Sequence, residues 1–502
     1  MIKYTSHNQI PIKEFYLPFG GQLGEDNRWV ILARHLPWDE MVSIYAQKMS
    51  IQMGRSALSP RIAIGALIIK HMKKLSDEET VAEIRENPYL QYFLGYKEYS
   101  YKQPFTPSLF VSFRRRLGES QLKEISDRFV SYVQKIETQK KKVAKKNKRK
   151  NENQDDSSGS GDSNKGHLIV DATVSPADIK YPTDLDLLNE ARKKSECLID
   201  LLYVPEKGKV KPRTYRKIAH KQFLGVVKVK KKSKKTLRKS IGQQLRYLRR
   251  NFKSIEVLLD EKGTRPFPLD FKYQRLYWII QEVYHQQKYM YDSKTHQVDH
   301  RIVSISQPHV RPIVRGKAGR DVEFGAKLSV SLVDGFSYLD RISWDAYNES
   351  TDLKQQIESY HSRFGFYPEW VSTDKIYGTR ENRAYMTARN IKYTGVSLGR
   401  PKSLTPESKE AQKERKSLNQ KRSRIEGKFG EGKRKYNLDL VKAKESDTST
   451  SWIGAVFFVM NIAHWLRVIF LSILSLVLYG LNTEEKSRWR LELRLVGPRL
   501  AQ

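Results

Sequence analysis

The chain has a single cysteine, Cys197. One thiol excludes an intramolecular disulfide and a cysteine-ligated zinc site, and with them the small stapled folds of secreted proteins. Its setting in DLDLLNEARKKSECLIDLLY, a helical pattern, makes a core thiol the expectation. Acid is the second shortage: 56 Asp and Glu stand against 92 Lys and Arg, a formal charge of +36. Such an excess points to a polyanionic partner, nucleic acid first. The opening MIKYTSHNQIPIKEF has no apolar stretch of the secretory kind, so the expected location is the cytoplasm, in association with the nucleoid. The apolar run from Trp452 to Gly480 is interrupted by Asn461, His464 and Arg467, short of the ~20 uninterrupted residues a bilayer span needs. A buried helix, with no membrane partner, is expected there.

What is present reads as two or more domains along 502 residues. Residues 1 to about 135 read as helices. PRIAIGALIIKHMKKL begins at Pro60 in a first-turn position, Ser76 and Glu79 form a capping-box pair, and NPYLQYFLGY starts at Pro88 and stops at Gly95. A further helix from about Ser108 ends in Arg114, Arg115 and Arg116, either a solvated basic terminus or a set of phosphate contacts. Residues 136–166, rich in Lys, Ser, Gly and Asn, read as a linker. An alternating pattern follows. HLIVDATVS is a strand, and EFGAKLSVSLV and FSYLDRISW form a hairpin through Asp334-Gly335. EWVSTDK and IKYTGVS are two more strands, with helices between. The order β-β-β-α-β-α-β over 167–480 is an α/β fold with an antiparallel hairpin and parallel strands. A segment at about 203–300 interrupts it after the first strand. Lys207 to Arg250 holds 18 Lys or Arg and no acid, with Lys230, Lys231 and Lys232 in a row and Tyr215, Phe223 and Tyr247 interleaved. Residues 481–502 form a tail.

Three acids stand out in combination, although singly an Asp at a strand end reads as a turn or cap residue and a Glu within a helix as solvent-exposed. Asp171 lies inside the first strand, where burial penalises charge. Asp374 follows EWVST, at the carboxyl end of a strand, the crevice side of open α/β sheets. Glu426 lies in the helical KRSRIEGKFG, with Arg422 four residues before it and Lys433 seven after on the same helical face. Clustered carboxylates stay ionised only beside cations. Three of them suit two Mg²⁺ ions about 4 Å apart, with Mn²⁺ as a substitute, which clamp a phosphodiester between attacking and leaving oxygens. Arg422 and Lys433 then grip phosphate. His296 and His300 in THQVDH have ligand-like spacing but no partner motif, and are expected to bind no metal.

These residues resemble a known family. HLIVDATVSPADIKYPTDLDLLNEAR, GRDVEFGAKLSVSLVDGF, WVSTDKIYGTREN and RSRIEGKFGEGKRKYNLDLVKAK are similar to the motifs of DDE transposases of bacterial insertion sequences, in the supergroup numbered four and five. The resemblance implies an RNase H-like core with a mixed five-stranded sheet and flanking helices, preceded by a separate N-terminal all-α domain for DNA binding and dimerisation. It implies Asp171, Asp374 and Glu426 as the catalytic triad and metal ligands. It also implies binding to terminal inverted repeats of double-stranded DNA, strand cleavage by water, and 3′-hydroxyl attack on target DNA in a complex with two copies of the chain. The signature around the Glu is Tyr, two residues, Arg, three, Glu, six, Lys; here Asn419 replaces the Tyr. Lys375 and Tyr377 flank Asp374 and are read as contacts to the flanking strand or as plain surface. The alternative is a sequence-specific DNA-binding protein that has lost catalysis.

Overall fold

In the computed structural model the residues described are 12–480, apart from 18–20, 48, 50–57, 150–163, 206–209, 263–265, 318–319 and 396–405. Among the described residues seven α-helices come first: α1 (Arg28–His35), α2 (Trp38–Ala46), α3 (Pro60–Lys73), α4 (Asp77–Glu86), α5 (Pro88–Phe93), α6 (Leu109–Arg116) and α7 (Glu119–Arg149). Their boundaries follow from local chemistry. Pro60 and Pro88 sit in first turns, and Ser76 and Glu79 close a reciprocal capping box on α4. α7 continues through Lys140–Arg149, well into the expected linker, because its Lys, Ala, Gln and Arg are good helix formers. The remaining linker residues 150–163 and the tail 481–502 lie outside the described residues.

After β1 (His167–Pro176) come four helices, α8 (Asp184–Leu202), α9 (Arg216–Val227), α10 (Lys234–Lys262) and α11 (Phe271–Asp292). The chain then returns through β2 (Arg311–Lys317), β3 (Arg320–Val333) and β4 (Phe336–Ser343). α12 (Leu353–Phe364), β5 (Trp370–Ser372), α13 (Arg380–Thr387), β6 (Lys392–Tyr393), α14 (Pro406–Lys421), α15 (Ser423–Lys435) and α16 (Ser446–Gly480) complete it. The six strands lie in the order β2-β3-β1-β5-β6, with β4 also paired to β3. β1 is antiparallel to β3, and β5 and β6 run parallel to β1. Asp334 and Gly335, both at positive φ, turn the β3–β4 hairpin as their sequence requires. The sheet has one strand more than the five expected. β2 carries Pro312, which breaks an alternating pattern and is tolerated because the strand lies at a sheet edge.

The expected separation of an N-terminal domain gives way to a shared core. Leu67, Phe93, Phe110 and Phe129 belong to one buried cluster with Leu168, Val330, Ile425 and Val456. α16 causes this. It packs on α3, α6 and α7 on one side and on β4 on the other, with Asn461 bonded to Ser126 and to the backbone of Ser337. By length and composition α16 could cross a bilayer, yet from Ser451 to Ile462 every residue is buried inside the protein.

The segment after β1 has its own core. Leu188, Leu198 and Ile199 of α8 meet Leu248 and Ile255 of α10 and Ile280 and Val283 of α11. α8, which precedes the expected start at 203, is therefore part of the packed unit. Its buried Arg192 donates to Gln244 (3.1 Å) and Asn189 (2.8 Å) and pairs with Glu196. That satisfied network fixes the α8–α10 register. Cys197 is exposed, not a core thiol. The core stripe of α8 runs through Ser195, Leu198, Ile199 and Leu202, and position 197 falls outside it.

Candidate active site

β1 and β5 pair in parallel with His167 opposite Trp370, Leu168 opposite Val371 and Ile169 opposite Ser372. β5 ends at Ser372, so Asp374 lies two residues past the paired stretch, as Asp171 lies two residues past Ile169 on β1. Below them, His167 Nε2 meets Ser372 Oγ at 2.7 Å, and Thr394 donates to the same Oγ at 3.0 Å. This ladder ties the two strands where the acids emerge. Burial also pushes the His167 imidazole down to about 4, helped by the charges of Lys421 and Arg424.

Asp171 is largely enclosed, with its side chain 16% exposed. Its Oδ1 accepts from the Ala172 N–H at 2.8 Å. Burial raises its pKa to about 6; the Ala172 N–H and Arg422 oppose the rise, and the charges of Glu349 and Asp374 add to it. Asp374 is exposed at the start of a short 3-10 turn, Lys375–Tyr377, and its Oδ1 accepts from the Lys375 N–H at 2.6 Å. Glu426, in the first turn of α15, is exposed. Arg422, at the junction of α14 and α15, reaches both Asp171 and Glu426: Nη1 lies 3.7 Å from Asp171 Oδ2 and Nη2 3.1 Å from Glu426 Oε1.

The links among the three acids are indirect. Asp171 and Glu426 share one guanidinium, and Asp374 stands within electrostatic reach of Asp171. Among the described residues no three His, Cys, Asp or Glu side chains come close enough together to enclose a metal. The chemistry of the donors still suits a hard divalent cation: all three residues offer carboxylate oxygens, and a cation beside Asp171 would relieve its raised pKa. α15 runs unbroken from Ser423 to Lys435 despite Gly427, Gly430 and Gly432, which keeps Lys433 on the face of Glu426. Gly432 is needed where it lies: a Cβ there would meet Met460 Sδ at 2.9 Å and Leu438 Cδ2 at 3.0 Å. Asn419 and Lys375 are exposed.

Other expected residues fall elsewhere. Arg114 is buried; it clamps Asp77, with 2.6 Å to Oδ2, and lies over the rings of Phe110 and Trp452. It holds α4, α6 and α16 together and is not available to phosphate. Arg115 pairs with Glu445, and Arg116 donates to Tyr45 Oη at 3.2 Å. Tyr377 is buried and cannot touch a DNA strand; apolar packing, not charge, governs that position. Lys230, Lys231 and Lys232 are exposed between α9 and α10. His296 and His300 are exposed, and among the described residues neither joins a group of three potential metal ligands. One acid near the site was missed: Glu349, in a 3-10 turn Glu349–Asp352, pairs with Lys327 at 2.9 Å while its charge acts on Asp171. Only the preceding Asn348, a capping residue, marks that turn in the sequence.

Two family descriptions match the chain: "Transposase domain (DUF772)" over residues 18–116 and "Transposase DDE domain" over residues 371–463. The second stretch contains Asp374, Arg422, Glu426 and Lys433. A protein of Rhizobium meliloti, described as uncharacterized protein ORF8 in nfe locus, is 34% identical over 99 residues, 19% of this chain and 46% of that protein. The chain therefore spans about half the length of this curated relative. No solved structure matches.

Proposed function

We infer that the chain, which matches transposase descriptions over residues 18–116 and 371–463, is a DDE transposase of an insertion sequence that binds the terminal inverted repeats of its element and catalyses metal-dependent strand cleavage and strand transfer. The observation that carries this reading is Arg422, which joins Asp171 on β1 to Glu426 on α15, with Asp374 two residues past the end of β5, the strand that runs parallel beside β1. The strand order, with a hairpin antiparallel to β1 and two strands parallel to it, supports an RNase H-like core.

Asp171, Asp374 and Glu426 would hold divalent ions, Mg²⁺ or Mn²⁺, two rather than one. Bound ions supply the charge that activates the attacking water or 3′-hydroxyl and stabilises the leaving oxygen. The protein groups do the rest. Arg422 is pre-oriented by its two acid partners and presents a planar fork to a phosphate. Lys433 adds a second cation from the same helix face. Ser372 and Thr394 fix His167 below the acids, and the neutral imidazole adds no competing charge there. Catalysis is in-line displacement at phosphorus, supplied by positioning and electrostatics without a covalent protein–DNA intermediate. Two DNA ends call for two copies of the chain in the active complex.

The test is cleavage of DNA bearing the element's ends by purified protein with Mg²⁺ or Mn²⁺. Strand nicks at the repeat boundary that vanish with a chelator are expected; binding of the ends without nicking under any divalent metal would favour the non-catalytic alternative.

A further inference from the structure

α10 separates its residues sharply. Leu245, Leu248, Phe252 and Ile255 are buried against α8 and α11, while Lys235, Lys239, Arg246, Arg250 and Lys253 are exposed. These five recur at helical spacing and form one ridge on the outer face. From Lys235 to Lys253 the ridge is about 27 Å long at 1.5 Å per residue. No acid occurs on α10 before Glu256, and among the described residues none of the five takes part in an ion pair. In contrast, Lys211 and Arg216 at the edge of the same unit are neutralised by Asp200. The charge on the ridge is left for something outside the chain.

Arg250 is the best-defined member. Its guanidinium lies 4.3 Å from the centre of the Tyr215 ring and 5.2 Å from that of Tyr247. Tyr215 holds its place at φ +54°, a left-handed conformation that a bulky side chain adopts at a cost. Tyr247 is itself tied to α9 through its bond to Gln222 (3.1 Å). Two rings that hold an exposed guanidinium by its face leave its N–H edge pointing outward, an arrangement suited to a phosphate rather than to internal packing.

We propose that the α10 ridge, anchored by Arg250 between Tyr215 and Tyr247, is a second DNA-binding surface that follows the phosphate backbone of duplex DNA outside the catalytic crevice. The ridge carries about one cation per helical turn. Its length spans about 8 base pairs at 3.4 Å per step along the duplex axis. The Lys230–Lys232 run extends it beyond the α10 N-terminus. Because α8 begins a few residues after Pro176, the unit is attached to the strand that carries Asp171, and DNA held on the ridge is tethered beside the crevice. The surface rests on the reading of the protein as a DNA transposase but not on the identity of the triad.

The experiment compares the full-length protein with a variant carrying Lys239→Gln, Arg246→Gln, Arg250→Gln and Lys253→Gln. Binding is followed by anisotropy across a salt series on a short end-bearing duplex and on a longer one. On the longer duplex the log–log salt slope is expected to fall by about 3 to 4, at roughly 0.9 for each phosphate that the variant no longer neutralises, with the short duplex much less affected. Arg250→Lys, which keeps the charge but not the planar fork, is expected to keep the slope and lose part of the affinity. Hydroxyl-radical footprinting of the wild-type complex is expected to show protection beyond the terminal repeat. An unchanged slope in the variant, no protection beyond the repeat, or equal competition by single-stranded RNA or polyglutamate would overturn the proposal. Absence of metal-dependent nicking by the wild-type protein would strike the catalytic reading alone.

Discussion

Arg422 and Asp171 stand 3.7 Å apart, a helix-junction cation facing a strand acid, and the same guanidinium is 3.1 Å from Glu426. A single side chain therefore links an acid on the sheet to one on α15. Arg422→Gln is expected to lower the cleavage rate about 10²-fold, the scale of losing one charged donor at a reacting phosphate. Arg422→Lys should recover part of it, since charge returns without the fork. Single-turnover cleavage rates at saturating protein measure this; equal loss in both variants would point to a packing defect instead.

Asp171 makes folding sensitive to pH. Its folded pKa of about 6 lies above the ordinary carboxylate value of 3.8, so between those values the native state binds more protons than the unfolded chain. Stability from this group falls as pH rises through the window, and the full penalty, up to about 3 kcal/mol, is present above it. Asp171→Asn is expected to raise the melting temperature at pH 7.5, with the gain shrinking toward pH 4. Adding Mn²⁺ should stabilise the wild-type protein and not the variant. Thermal melts across pH decide both points.

His167 has the opposite sign. Its pKa is lowered from 6.5 to about 4, so the unfolded chain binds more protons in that interval and stability is lost as pH falls through it. His309 and His464 are lowered to about 4 by burial as well. His167→Gln is expected to flatten the acid side of the stability profile, as read by urea denaturation at pH 7 and pH 5.

Two glycines of α15 should respond in opposite directions. Nothing lies within 4 Å of a Cβ added at Gly427, so Gly427→Ala should stabilise by up to about 1 kcal/mol through helix propensity. Gly432→Val should destabilise by about 1–3 kcal/mol, because α16 and Leu438 leave no room. Denaturant midpoints of both variants check the contrast.

Local signals in the sequence carried the features that depend on neighbouring residues. The Asp-Gly turn gave away the β3–β4 hairpin, the Ser76–Glu79 box marked the start of α4, and Asp171 betrayed itself as a charge within an apolar strand. Features that depend on distant partners were hidden. Arg114 reads as one of three surface arginines because Asp77 and Trp452, which enclose it, are remote in the chain. Tyr377 follows the exposed Lys375 and Ile376 yet is itself buried. β2 was obscured by Pro312, and the fusion of the N-terminal helices with the sheet depends on α16, whose apolar pattern tells nothing of what it packs against.

The most direct test of a metal site shared by the three acids is a Mn²⁺ titration, followed by electron paramagnetic resonance, of the end-DNA complex formed by the wild-type protein and by Asp171→Asn, Asp374→Asn and Glu426→Gln. Bound Mn²⁺ is expected in the wild-type complex and weakened binding in each variant, with DNA affinity retained. Wild-type Mn²⁺ occupancy in all three variants would contradict the shared site.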